Sequence, residues 1–122
     1  MLDLELENIT KMLAVDTDWV PYLEPWHGVG VYAEAFGCPF EWREGEPPWT
    51  HPIVQTVEDL KRLRKPSMVT AAMLNFGCET VEYFDRETRG EIPIALTDTQ
   101  SPLDSATLIC DTTFFFMACH EH

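Results

Sequence analysis

The stretch Glu91 to Cys110, EIPIALTDTQSPLDSATLIC, constrains this chain most. A short apolar run, Ile92 to Leu96, stops at a polar loop, Thr97 to Ser101, and Pro102 then opens an apolar pattern at helical spacing. The order reads as strand, loop, helix. In a parallel α/β sheet, ligands sit in the loop that follows the carboxyl end of a strand, because helix N-termini and free backbone N–H groups converge there. The loop is therefore the first place to look for a site.

The remaining segments can be read around this unit. Residues 2 to 14 put Leu2, Leu6, Ile9 and Leu13 on one face, opposite Glu5, Glu7, Asn8 and Lys11, as in an amphipathic helix. Asp16 to Asp18 break it. Trp19 to Leu23 suits a buried strand, and Pro25 to Gly30, PWHGVG, is a turn leading to a short helix, Val31 to Phe36, closed by Gly37. Phe40 to Trp42 fits a short strand, whereas Pro47, Pro48 and Pro52 make Arg43 to Pro52 a loop. Thr56 caps a helix with Glu58 and Asp59 in its first turn and Val57, Leu60 and Leu63 on a buried face, ending at Pro66. Ser67 caps a longer helix, Met68 to about Glu87, in which Val69, Met73, Phe76 and Phe84 share a face and Gly77 requires a close neighbour. Gly90 delivers the chain into the strand at Ile92, and the tail, Thr112 to Cys119, is strongly apolar.

Alternation of this kind predicts βα units and a parallel sheet. Only two strands are convincing, however, and two strands neither close a barrel nor cover the apolar faces of the helices. The pattern fits part of something larger.

Composition narrows the partners. The formal net charge is -13, with eight basic residues against 21 acidic ones, which disfavours binding to nucleic acid or to an anionic membrane surface. Half of the cations, Lys61, Arg62, Arg64 and Lys65, fall in one block, read as the basic last turn of a helix complementing its dipole. The cysteines, Cys38, Cys78, Cys110 and Cys119, contain no CxxC pair, and the N-terminus lacks the basic-then-apolar pattern of a secretory signal, so reduced thiols and a cytoplasmic location are expected. No apolar run approaches the roughly 20 residues needed to span a bilayer.

Three segments then carry a family likeness: EPWHGVGVYAEAFGC (Glu24 to Cys38), PPWTHPIVQTVEDLKRLRKP (Pro47 to Pro66) and IPIALTDTQSPLDSATLI (Ile92 to Ile109), in that order. With them the chain resembles the uroporphyrinogen decarboxylase family, including its branch of corrinoid-linked methyltransferases. The resemblance implies a (β/α)₈ TIM barrel, an α/β fold needing about 250 residues. Residues 1–122 are then expected to be an internal fragment of one barrel domain, holding a few βα units and inactive alone. It also implies a small-molecule substrate, either a tetrapyrrole or a corrinoid-bound methyl group. The decarboxylases place an Asp near the position of Gly28 to contact pyrrole N–H groups. None lies there, which favours the methyltransferase branch. That branch binds zinc through a His and two Cys in the barrel's second half, so zinc and corrinoid would belong to the full-length protein, and no cofactor is expected within this chain.

Three residues are candidates for substrate binding. His27 follows a predicted strand in a glycine-bearing turn, where it would face the barrel mouth as an acid, a base or a hydrogen-bond donor; the plainer alternative is an exposed or locally bonded loop histidine. Asp98 and Gln100 lie in the loop after Leu96, where Asp98 would accept from a ligand N–H and Gln100 would accept or donate. Ser101, Pro102 and Asp104 are explained as a helix start. No catalytic residue can be assigned. Cys119, His120 and His122 invite a metal reading, but no predicted element makes them converge, and no metal site is expected. Cys38 and Cys78 read as small core residues, and Phe114 to Phe116 as core for a missing neighbour. The alternative to a barrel fragment is a complete small acidic module that binds a ligand at the loop after Leu96 or dimerises through its apolar tail.

Overall fold

The computed structural model describes residues 1–120. Six helices and one strand pair follow in chain order: α1 (Leu2–Leu13), α2 (Val31–Ala35), β1 (Phe40–Glu41), β2 (Trp49–Thr50), α3 (Val57–Arg62), α4 (Ala72–Thr88), α5 (Pro102–Ile109) and α6 (Thr112–His120). They form two compact units, Met1–Trp26 with Phe76–Thr97, and His27–Asn75 with Asp98–His122.

The first unit is built on α1, most of α4 and one parallel bridge. Leu2, Ile9, Leu23 and Phe84 are buried together, with Leu6, Trp19, Ile92 and Ile94 packed around them. The predicted strands Trp19 to Leu23 and Ile92 to Leu96 meet, and in parallel, but only at the bridge between Leu23 and Ile94. Leu23 donates to Pro93 O at 2.9 Å and accepts from Ala95 N at 2.8 Å. Proline is the reason the ladder goes no further. Pro93 has no N–H to give, and Pro21 and Pro25 remove donors on either side of Leu23. Leu96, just past the bridge, stands exposed, and so does Leu13, which lies in the last turn of α1 just before its C-cap at Ala14.

The expected apolar face of α4 is corrected in register. The helix starts at Ala72, not Met68, and its buried positions are Gly77, Thr80 and Phe84, at helical spacing. Val69 precedes the helix and is 90% exposed; Phe76 is exposed as well. Burying Thr80 is tolerated because its hydroxyl donates to Phe76 O at 2.8 Å within the helix.

In the second unit, Ala33, Cys38, Val54, Ile109 and Cys110 form the core, and Phe36, Ile53, Leu63, Leu108, Phe114 and Phe115 pack against it. Here too a single parallel bridge, between Val54 and Cys110, joins distant segments. The Ile109 carbonyl accepts from both Ile53 N (2.9 Å) and Val54 N (3.1 Å), and Asp111 N donates to Val54 O at 2.8 Å. Among the described residues the one regular sheet is antiparallel, pairing Phe40 with Thr50 and Glu41 with Trp49, so part of the expected loop Arg43 to Pro52 is strand β2. Pro47, Pro48 and Pro52 bracket it, leaving a pairing segment too short to recruit another strand.

Helix termini follow local chemistry. Thr56 and Asp59 form a complete capping box on α3, and Ser101 Oγ accepts from Asp104 N on α5, with Pro102 at the first position. The face of α3 expected to be buried is not: Val57 and Leu60 are exposed and Leu63 is only half-buried. Ser67 caps a turn over 67–70, its Oγ accepting from Val69 N, while the start of α4 is capped across the fold. There, Glu34 of α2 accepts from Met73 N at 3.2 Å, placing a carboxylate at the positive end of the helix. Cys78, expected in the core, is exposed. Phe114 and Phe115 pack within the chain and only Phe116 of the aromatic block is exposed.

Replacing the fully buried Phe84 by Ala should destabilise the first unit by about 3–5 kcal/mol, the usual cost of losing a buried aromatic. Urea titration followed by tryptophan fluorescence, with Trp19 beside this core, measures it; a loss below about 1 kcal/mol would contradict the packing described.

Candidate functional site

The loop after Leu96 does bring two of the sequence candidates together. Gln100 Nε2 donates to Asp98 Oδ2 at 2.8 Å, and both side chains are half-buried. Gln100 also lines a cleft of about 400 Å³ among α2, α3 and α5, whose walls include Tyr32, Phe36, Leu60, Pro102 and Ile109. Asp98 does not line that cleft; it holds one side of the Gln100 amide. The pair is therefore one polar group at the edge of an apolar depression, with the N-terminus of α5 beside it.

His27 occupies a different environment. It is 1% exposed, neither facing an open mouth nor lying on an exposed loop. Burial lowers its pKa below the ordinary 6.5, because an imidazolium loses more solvation than a neutral ring. The ring is thus held neutral at pH 7 in the turn leading to α2. That turn is shaped by close approach. Gly28 has φ +89°, and any Cβ there would run into the ring of Pro48; a Cβ on Gly30 would collide with Thr50. The first and second family-like segments thus pack directly on one another, and the glycines are what allows it.

A polar cluster on the paired strands is not evident from the sequence. Glu41 Oε2 accepts from Arg43 Nη2 at 3.1 Å and lies 3.0 Å from His51 Nε2. The Arg43 hydrogen bond first, then that of His51, holds the Glu41 carboxyl below its ordinary range. The β1–β2 register brings 41 and 51 together, and only the bracketing prolines hint at that pairing. All three side chains are about half exposed, so the cluster ties the hairpin surface together weakly.

The core thiols are buried and held in their protonated form. Burial pushes the Cys38 thiol up to about 11, outweighing the hydrogen bond from the Ile53 backbone, and burial raises Cys110 as well. Among the described residues no three His, Cys, Asp or Glu side chains converge to hold a metal ion. Cys119 and His120 lie within α6, and the remaining members of the tempting metal cluster, Glu121 and His122, fall outside the described residues. No helix among the described residues is long and apolar enough to cross a membrane.

The glycine turn, the bracketed prolines and the strand–loop–helix unit lie in one continuous region that a known family describes. The family model for uroporphyrinogen decarboxylase (URO-D) matches residues 27–122. This chain belongs to that family. No curated protein and no solved structure gives a significant match to it. The match takes in His27, Asp98 and Gln100, and leaves out α1 and the first extended segment.

Within this family member the neutral state of His27 has a measurable consequence. Its folded-state pKa lies below 6.5, so the unfolded chain takes up the proton first. Stability present above about pH 6.5 should fall as the pH drops below it, until the folded-state pKa is passed. Urea midpoints measured from pH 7.5 to 5 should decline less in His27→Gln than in the native chain; parallel declines would remove His27 as the cause.

Proposed function

We propose that this chain is an internal part of a (β/α)₈ barrel enzyme of the uroporphyrinogen decarboxylase family, inactive by itself, and that the whole enzyme is a corrinoid-linked methyltransferase rather than a tetrapyrrole decarboxylase. The observation that carries the choice between branches is Gly28. The resemblance puts the pyrrole-contacting Asp of the decarboxylases near this position. Here the residue combines a positive φ with the ring of Pro48 where its side chain would be, so an Asp is not merely missing but has no room.

Several features support the fragment reading. Each unit contains a parallel bridge of the kind a barrel extends into ladders, between Leu23 and Ile94 and between Val54 and Cys110. Leu96, next to the first bridge, is 81% exposed, and Val20 and Phe116 are also exposed. Neighbouring barrel strands and helices would cover such groups, and in their absence self-association would. Four free cysteines fit a reducing, cytoplasmic setting.

In this reading the chain contributes part of one wall of a small-molecule site. The Asp98–Gln100 pair offers acceptors and a donor to substrate, and the neutral His27 serves as a positioning residue beneath the turn. Zinc and corrinoid would require a His and two Cys outside this chain. The described residues do not hold such a site.

The alternative, a complete acidic module, draws support from the Gln100 cleft, which the second unit forms without outside help. Size exclusion and dye binding separate the two. A fragment should bind a hydrophobic dye strongly, unfold with low cooperativity and show no decarboxylation of uroporphyrinogen. A cooperative monomer that excludes the dye would overturn the proposal. Gly28→Asp should lower stability, by about 1–2 kcal/mol from the backbone conformation alone and more from the Pro48 clash; a neutral effect would reopen the decarboxylase branch.

A further inference from the structure

We propose that a second cleft, bounded by the C-terminal end of α3 and the turn that follows it, binds an organic anion with an apolar body, such as a medium-chain carboxylate. The cleft has a volume of about 500 Å³, within the range that encloses a small ligand. Its apolar wall comes from Phe36, Ile53, Val54 and Leu63, and its polar rim from Arg62, Arg64 and Lys65. The chain has eight basic residues and three of them line this one cleft.

Helix-dipole compensation accounts for only part of this arrangement, through Lys61 and Arg62 in the last turn and the carbonyl bonds of Arg64. Helix α3 ends at Arg62, so Arg64 and Lys65 lie past its last turn. Arg64 Nη1 donates to Lys61 O at 3.0 Å and Leu63 O at 2.9 Å, which neutralises the helix end and fixes the guanidinium at the rim. A guanidinium has five N–H donors, and two carbonyls do not exhaust them. One carboxylate opposes the cations: Asp59 also lines the cleft and lies 3.7 Å from Arg62 Nη1. Its Oδ2 is engaged by the backbone N–H and hydroxyl of Thr56 in the capping box and its Oδ1 faces Arg62, so one anion stands against three cations. The hydroxyls of Ser67 and Thr70 complete the rim.

Magnitudes decide whether the acidic remainder of the molecule would defeat such a site. At physiological ionic strength exposed charges are screened over roughly 8 Å, so the net charge of -13 acts weakly on the cleft while the rim cations act at contact. A purely apolar ligand would gain nothing from the rim, and a bare inorganic anion nothing from Phe36 and Ile53. An anion carrying an apolar body uses both. The site lies in the second unit alone and does not depend on which branch of the family the protein represents.

The test is a titration of the full 122-residue chain, uniformly ¹⁵N-labelled, with octanoate, 1-octanol and inorganic phosphate, followed by amide shifts. Octanoate should give saturable shifts at Gly37, Ile53, residues 62–65 and residues 67–70, with octanol and phosphate each at least tenfold weaker. The Arg62→Glu/Lys65→Glu variant should lose octanoate binding at least tenfold with the rest of the spectrum unchanged. Should that variant unfold, Lys65→Glu alone and the native chain in 0.5 M salt should both bind octanoate more weakly. Equal binding of octanol or phosphate, shifts confined to other regions, or affinity indifferent to charge reversal and to salt would overturn the proposal.

Discussion

The Ile109 carbonyl is the acceptor on which the second unit depends. It takes N–H groups from both Ile53 and Val54, while Val54 returns an acceptor to Asp111. These bonds join the end of α5 to a segment more than fifty residues earlier and satisfy backbone groups that would otherwise be buried unpaired, at a cost of about 1–3 kcal/mol each. Val54, Cys110, Ile109 and Cys38 can be buried only because this exchange is made. Both clefts follow from it, since Ile109 and Cys110 line one and Ile53 and Val54 the other.

Proline sets the opposite limit. Most extended segments carry or adjoin one: Pro21, Pro25 and Pro93 in the first unit, Pro39, Pro47, Pro48 and Pro52 in the second. Each removes a donor, so the parallel pairings shrink to single bridges and the antiparallel pair to two residues on each side. Burial is shared between the connecting segments and the helices. Their apolar faces are only partly used, which leaves Val20, Leu96 and Phe116 exposed.

The candidate site was legible in unequal parts. Asp98 and Gln100 could be placed in one loop because the change from apolar run to polar loop to proline-led helix is a local signal, and the two side chains do meet. His27 was legible as a residue in a glycine turn, but its burial was not, since that depends on the turn packing against a loop some twenty residues later. The Glu41–Arg43–His51 cluster and the Glu34 cap on α4 are contacts across the fold, and neither has a signature in the residues nearby. The basic block Lys61 to Lys65 shows the same division. Its clustering is plain in the sequence, whereas its position over an apolar cleft depends on where α2 and the 53–54 segment come to lie.

By itself the sequence determined the starts of α3 and α5 and the family. Thr56 with Asp59 and Ser101 with Pro102 act through atoms three residues apart, where chain connectivity already holds partners together. The three ordered segments point to the family, and the family model covers the second and third of them whole and the first from His27 onward. Tertiary structure alone decided which apolar faces are buried. Periodicity marks a face as apolar but not whether a neighbour exists to cover it, so Phe84 became the centre of a core while Val69 and Leu96 did not.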